Sequence, residues 1–315
     1  MPLKTWTLLT PPSMGAIAIL QFPSSALSTL TNRSKWELGK LYLVDIPHID
    51  EVIAVKINDE LAQIMPHGGM QILRKLTERF AELRIKQSLT PQYIEAEDEI
   101  EARMLAALSI AQSPLAVNLL LQQPPKLRGK SPSKNDLVRA SILNHLIHPP
   151  KVVLLGAPNT GKSTLMNALT NQDTSIVHHL PGATRDAVGA RINCAGLVID
   201  LYDLPGFRDS EDPIEQEAIL LAQKIASEAV LTLHIATPTL PWIKLTQSQL
   251  NKLTLSQLNI CTMSDIGKRA EADLCISAHT GENIEKLTTL VRDAIVPPDV
   301  LQSDAPWFFY NPTDE

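Results

Sequence analysis

The sequence predicts an α/β protein. Its second half reads as a parallel-rich sheet covered by helices, preceded by a small α+β domain over residues 1–88 and a short helical segment over 95–147. Three observations predict this. Residues 156–164 read Gly156-Ala157-Pro158-Asn159-Thr160-Gly161-Lys162-Ser163-Thr164, between the apolar run Val152–Leu155 and a helical pattern at Leu165, Ala168 and Leu169. Strand and helix patterns then alternate over 151–296, as they do when helices cross between parallel strands. Residues 1–88 instead hold several strand-like runs and one amphipathic helix.

Taken in order, Gly15–Leu20, Leu41–Val44 and Glu51–Ile57 read as strands. Residues 70–84 read as a helix with Ile72, Leu73, Leu76 and Phe80 on one face. Over 95–123 the four-residue spacing of Ile100, Met104 and Leu108 predicts a helical hairpin, with Pro114 starting its second helix. Residues 124–134 (PPKLRGKSPSK) read as an exposed, semi-stiff linker, followed by a short helix over Asp136–Ile147. The strands expected beyond it are Val152–Leu155, Leu197–Tyr202, Val230–Ile235, Leu258–Thr262 and Leu274–Ile276. Residues 297–315 read as a Pro-rich tail in which Trp307–Tyr310 either anchors on its own domain or binds a partner.

Composition bounds the function. With 44% hydrophobic and 20% charged residues the chain is an ordinary globular protein, and with only 4% aromatics its cores must be built from Leu, Ile, Val and Ala. A net charge of −6 argues against an extended basic nucleic-acid-binding face. Cys194, Cys261 and Cys275 have no metal-ligand spacing and read as small apolar fillers in a reducing compartment. No apolar run approaches the roughly 18–20 residues of a membrane span. The opening residues have no signal-peptide pattern, so a cytoplasmic location is expected.

The chemistry lies in five motifs. In the first, glycines let the backbone curl until its N–H groups face an anion, and the helix after the loop adds its positive end. Asn159, Thr160, Gly161, Lys162, Ser163 and Thr164 form this cradle. Lys162 is expected to reach the β- and γ-phosphates and Ser163 to bind Mg²⁺. Asp203-Leu204-Pro205-Gly206 ends a strand. Asp203 is expected to hold Mg²⁺ through a water, and the Gly206 N–H to meet the γ-phosphate and lose it after hydrolysis. Between the two, Pro181–Asp186 supplies Thr184, expected to close over Mg²⁺ and the γ-phosphate. Thr262-Met263-Ser264-Asp265 stands at a strand end where guanine-specific folds carry Asn-Lys-x-Asp. Asp265 can accept from N1–H and the 2-amino group of guanine, a donor pair adenine lacks. Ser277-Ala278, after the next strand, can support the base with backbone N–H groups. Asp265 and Ser277-Ala278 together disfavour an adenine-selective NTPase.

Five motifs in this order are similar to a Ras-like P-loop GTPase domain. In detail they resemble the MnmE (TrmE) family of tRNA-modification GTPases. Gly156–Ser163, the Pro181-Gly182-Ala183-Thr184-Arg185-Asp186 segment, and Asp203–Arg208 followed by Glu211–Glu215 carry the resemblance. Thr10–Ile19 resembles that family's opening strand, and His67-Gly68-Gly69 its H-G-G segment. The resemblance implies GTP hydrolysis linked to wobble-uridine modification, with GTP and Mg²⁺ bound, tRNA or a tRNA-modification protein as partner, and a homodimer through the N-terminal domain. It implies that Asn159 helps hold a K⁺ ion in place of an arginine finger. It also implies that Glu215 orients the attacking water, since Phe207 stands where Ras has Gln.

Departures from the family open an alternative reading. Thr262 and Met263 replace its Asn and Lys, and only a short tail without cysteine comes after Val296. A shortened paralogue acting as a guanine-nucleotide switch or scaffold, without tRNA modification, is therefore also consistent. Pro66 replaces a Cys, Gln63 a Glu, and Gln21 stands near a usual Arg. These changes count against folate and leave His67-Gly68-Gly69 as a structural turn.

Overall fold

A computed structural model describes residues 5–10, 16–88, 93, 96–170, 188–203, 222–243 and 256–310. The chain divides into two units, Met1–Ile110 and Ala111–Glu315. The cut falls inside the expected helical segment 95–147.

In the first unit six strands form one sheet in the order β3-β4-β5-β2-β1-β6. They are β1 (Thr5–Leu8), β2 (Leu20–Pro23), β3 (Leu41–Ile46), β4 (Asp50–Lys56), β5 (Leu61–Met65) and β6 (Lys86–Gln87). All pairings are antiparallel except β1 with β6. The expected strand Gly15–Leu20 is corrected: the ladder starts at Leu20, and before it Ile17 makes only a single bridge to His67. Helix α2 (Met70–Glu82) matches its sequence pattern and buries Leu76 and Phe80. There Phe80 stacks on Trp6 at 5.2 Å and meets Phe22 at 5.3 Å, closing a core with Leu20, Ile64 and Ala54. Helix α1 (Leu27–Leu30) lies between β2 and β3, and helix α3 (Glu99–Ile110) buries Met104.

The second unit has six strands in the order β12-β11-β10-β7-β9-β8: β7 (Lys151–Gly156), β8 (Val188–Cys194), β9 (Leu197–Asp203), β10 (Leu231–Ala236), β11 (Gln257–Cys261) and β12 (Leu274–Cys275). Strands β9, β7, β10, β11 and β12 run parallel, and the central β10 is buried along its whole length. Such strands read as predominantly apolar runs because both faces are covered, and in β10 only Thr232 and His234 interrupt the run. Strand β8 is the antiparallel edge strand of this parallel-rich sheet and was not among the strands expected. It pairs antiparallel with β9 through a tight turn at Ala195-Gly196, where both residues have positive φ (49° and 93°). Its polar residues alternate with buried Ala190, Ile192 and Cys194. Arg191, opposite Asp200, makes a two-point ion pair at 2.7 and 3.1 Å.

Helices α4 (Pro114–Leu121), α5 (Gln123–Leu127) and α6 (Lys134–Leu143) precede this sheet. The expected linker 124–134 is corrected in its first part: α5 is helical, with Pro124 and Leu127 buried. Prolines in a first helical turn lose no hydrogen bond, so the Pro pair reads as a breaker while it starts a helix. The group docks on the β8–β9 turn. Leu115 N–H donates to Gly196 O at 3.3 Å, and Val198 N–H donates to Ser113 Oγ at 3.0 Å. Gly196 is required here, since a Cβ would lie 2.7 Å from Leu115 Cγ. The tail, expected either on its own domain or on a partner, is fastened within its own unit. Trp307, Phe308 and Phe309 are buried, and Trp307 bonds Gln123 and Asn144.

Candidate nucleotide site

Because five strands run parallel, the loops after β7, β9, β10, β11 and β12 gather at one edge of the sheet. That edge is where open α/β sheets bind ligands. The loop after β7 leads into helix α7 (Lys162–Thr170). Asn159 and Gly161 both adopt left-handed φ (63° and 80°), which turns the loop's N–H groups around a concavity. Gly156 cannot carry a side chain, because a Cβ would sit 2.6 Å from Ile235 O on β10. Thr160 is buried, its hydroxyl donating to Ala157 O at 2.8 Å. Lys162 Nζ rests on the loop's own carbonyls, 3.0 Å from Gly156 O and 3.1 Å from Ala157 O. Ser163 and Thr164 are exposed at the start of α7.

Asp203, the last residue of β9, accepts from Ser163 Oγ at 3.1 Å. Burial pushes its carboxyl above the usual range, and the Lys162 ammonium and the Ser163 hydroxyl pull it back. A hydroxyl and a carboxylate converging beside a phosphate loop form the oxygen donor set that suits Mg²⁺.

The two remaining loops are joined to this one and to each other. Thr262, where the guanine-binding pattern has Asn, is buried and donates to Thr160 O at 2.7 Å, with Ala236 O at 3.1 Å. The substituted residue therefore still ties the base loop to the phosphate loop. Met263, at φ 56°, sets its methyl 3.7 Å from the position of a Cβ on Gly161. Asp265 is exposed and held below its usual range, first by the Ser277 hydroxyl and then by its own N–H. Ser277 is buried, with its Oγ also accepting from Thr280 N–H at 3.2 Å. Ala278 comes next, part-buried, in the same turn.

Thr184, Gly206, Phe207 and Glu215 lie outside the described residues. Two braces escaped sequence reasoning. Glu282 accepts from Ser264 Oγ at 2.6 Å and from Lys268 at 3.2 Å, fastening the base loop to the turn after β12. Arg269 donates to Thr237 O at 2.6 Å and lies 5.3 Å from the Trp242 ring centre. Glu282 had a signal in the Thr-Gly-Glu-Asn turn, whereas Arg269 had none. In the first unit, His67 donates its N–H to Asp50 at 2.9 Å and sets Nδ1 against the same carboxylate. Gly68 N–H bonds Ala16 O at 3.0 Å.

Residues 151–264 match the family model of the 50S ribosome-binding GTPases. The tRNA modification GTPase MnmE of Sinorhizobium medicae is 27% identical over 270 residues, spanning 82% of this chain and 57% of that protein. The MnmE of Neorickettsia sennetsu is 30% identical over 227 residues, 69% of this chain and 38% of its own. The chain is a relative of the MnmE tRNA-modification GTPases. It spans about half the length of the curated MnmE proteins it matches. Among solved structures, the G domain of the T. maritima FeoB iron transporter is similar over 46% of this chain and 99% of its own, at 24% identity and a TM-score of 0.33. With the family model on residues 151–264, the second unit carries a Ras-like P-loop GTPase domain, and GTP and Mg²⁺ are the ligands its family implies. Among the described residues, no helix is long and apolar enough to cross a membrane.

Proposed function

We propose that this MnmE relative binds and hydrolyses GTP, and that its nucleotide state serves tRNA modification. The observation that carries the reading is the meeting of Ser163 and Asp203 at 3.1 Å beside the phosphate loop. In this reading Ser163 and Asp203 would hold Mg²⁺, which would supply positive charge beside the phosphates. Lys162 leaves the loop carbonyls for the phosphate oxygens, Asn159 through Thr164 hold the chain of phosphates, and Asp203 orients the metal's water. Thr184 and Gly206 sense the γ-phosphate, and Glu215 positions the attacking water. Thr262, Asp265, Ser277 and Ala278 hold guanine. Single-turnover hydrolysis of bound GTP tests the reading directly. No turnover, with GTP bound, would reduce the site to a nucleotide switch.

A K⁺ ion held by Asn159 is part of the proposal, since no arginine finger can be assigned among the described residues and charge between the β- and γ-phosphates needs a partner. Exchanging K⁺ for Na⁺ at constant ionic strength is expected to slow turnover by on the order of tenfold or more. Glu215→Ala is expected to lower kcat while leaving nucleotide affinity unchanged. Equal rates in the two salts would remove the ion from the mechanism.

The link to tRNA rests on the relatives. Deleting the gene is expected to reduce modified wobble uridines, read by mass spectrometry of tRNA. Unchanged uridines alongside intact GTP turnover would favour the switch or scaffold reading. A homodimer through the first unit is supported by the outer face of β3, where Leu41 and Leu43 are 61% and 67% exposed, with Ile53 beside them on β4. Light scattering on the Leu43→Asp protein is expected to show a monomer. Folate is left out of the proposal. The H-G-G segment is engaged by Asp50 and Ala16, which supports a structural turn.

A further inference from the structure

We propose that Cys261 and Cys275 are a redox-modification site, forming a reversible disulfide that loosens the guanine-binding loops when a low-molecular-weight disulfide oxidises the protein. The two residues are register partners on the parallel strands β11 and β12. Residues directly opposite on neighbouring strands project to the same face, with backbones about 4.8 Å apart. That separation falls inside the range of about 4.4–6.8 Å between Cα atoms that a disulfide accepts. Both thiols are free. Each donates its S–H to a nearby carbonyl at 3.5 Å, Cys261 to Thr262 O and Cys275 to Arg269 O.

The placement makes the pair addressable. Strand β12 is the edge of the sheet, and Cys275 on it is half-buried, whereas Cys261 one strand inward is fully buried. Burial, and then the neighbouring Cys275 thiol, hold the Cys261 thiol above its usual range. Cys275 is therefore the first to react. Its thiolate attacks the oxidant disulfide, forming a mixed disulfide and expelling one thiolate. Cys261 then attacks the Cys275 sulfur, closing the Cys261–Cys275 bond and expelling the second thiolate. The two cysteine protons end on the two released thiols, so the protein is oxidised by two electrons and the small disulfide is reduced by two. A disulfide with one sulfur part-exposed at a sheet edge belongs with the readily reduced ones. Cys194 is an internal reference, because its burial on β8 pushes the thiol up to about 12.

The consequence is set by the loop that each cysteine leads into. Cys261 is succeeded by Thr262–Asp265 and Cys275 by Ile276-Ser277. The two loops are stitched by Ile276 N–H to Cys261 O at 2.8 Å, by Ser264 N–H to Ile276 O at 3.0 Å, and by the Ser264 hydroxyl to Glu282 at 2.6 Å. Drawing the sulfurs together twists this stitching and moves Ser277 away from Asp265. This consequence rests on the guanine reading of these loops, whereas the crosslink does not.

The test treats the full chain with glutathione disulfide, then reads cysteine linkage by peptide mass spectrometry and GDP affinity by titration. A peptide joining Cys261 to Cys275 is expected, with Cys194 still alkylatable after unfolding. GDP affinity is expected to fall about tenfold, the equivalent of about 1.4 kcal/mol. Dithiothreitol should restore it, and Cys275→Ser and Cys275→Ala should both abolish the oxidant's effect. Cys261 and Cys275 both still alkylatable after oxidation, or glutathione retained on Cys275 alone, would overturn the crosslink. A crosslink with unchanged GDP affinity would overturn the control of the base loops. If the reduced protein bound no GDP, the guanine reading would fail, and the peptide map would still decide the crosslink.

Discussion

Asp265→Asn is expected to invert nucleotide choice from GTP to xanthosine triphosphate. The protonation state of Asp265 is the reason. Its carboxyl is held below the usual range, chiefly by the Ser277 hydroxyl, so near neutral pH it is an acceptor on both oxygens. Guanine offers it two donors, each charge-assisted bond contributing about 1.5–3 kcal/mol. An amide in its place meets a guanine donor with a donor, whereas xanthine presents a 2-oxo acceptor. GTP affinity is therefore expected to fall on the order of a hundredfold to ten-thousandfold, with xanthosine triphosphate gaining over the wild-type protein. The loop is held by Ser264 on Glu282 and Ile276, which the substitution leaves in place, so thermal stability is expected to change little. Titration of both nucleotides against both proteins checks this. Undiminished GTP binding by the variant, or equal wild-type affinities for ATP and GTP, would remove Asp265 from base recognition. The Thr262-Met263 pair bears on absolute affinity instead. Thr262 keeps the tie to Thr160, and Met263 supplies apolar contact without the ammonium of a lysine.

Features that depend on local chemistry were legible in the sequence. The phosphate loop was readable because its residues act through backbone conformation: positive φ at Asn159 and Gly161, and no room for a Cβ at Gly156. The apolar runs of β7, β9 and β10 were readable because buried parallel strands have no polar face. Strand β8 was missed although Ala190, Ile192 and Cys194 alternate with Arg191 and Asn193, because so short an alternation is a weak signal until pairing with β9 orders it. Helix α5 was hidden for the opposite reason: Pro124 and Pro125 suit a first turn as well as a linker, and only the burial of Leu127 decides between them. The Ser163–Asp203, Thr262–Thr160 and Asp265–Ser277 meetings join residues distant in sequence. Motif order implied them, but only the parallel topology brings them to one edge. Arg269 was beyond reach because its role is tertiary, and the Thr-Gly-Glu-Asn turn marked Glu282 without giving its partners Ser264 and Lys268.

Trp307→Ala is expected to cost the second unit about 3–5 kcal/mol, among the largest effects of any single change outside the nucleotide loops. Trp307 is fully buried. Its backbone N–H donates to Gln123 Oε1 at 2.8 Å, its ring Nε1 donates to Asn144 Oδ1 at 3.0 Å, and Phe309 meets it edge-on at 6.1 Å. Truncation leaves a cavity and strips Asn144 of its donor. Beside it the Arg139 guanidinium donates to the carbonyls of Ser303, Ala305 and Pro306, a planar fork that lysine cannot reproduce. Residues 297–310 are thereby strapped onto α4–α6, the segment that leads into the GTPase domain, so its two flanks close on each other. Helix α4 in turn grips the Ala195-Gly196 turn at the start of β9, while Asp203 ends the same strand at the nucleotide edge. Seven residues of strand separate the two, roughly 20 Å. Unstrapping is therefore expected to lower the unfolding midpoint by on the order of 10 °C while GDP affinity below the transition stays near wild type. Trp307→Phe keeps most of the volume and loses the ring N–H with part of the indole, so its cost is expected to be smaller, about 1–2 kcal/mol. Calorimetry with GDP titration reads both quantities. A stable Trp307→Ala protein would show that the strap is not a structural part of the unit. A stable fold with lost GDP binding would place the clasp in communication with the nucleotide loops.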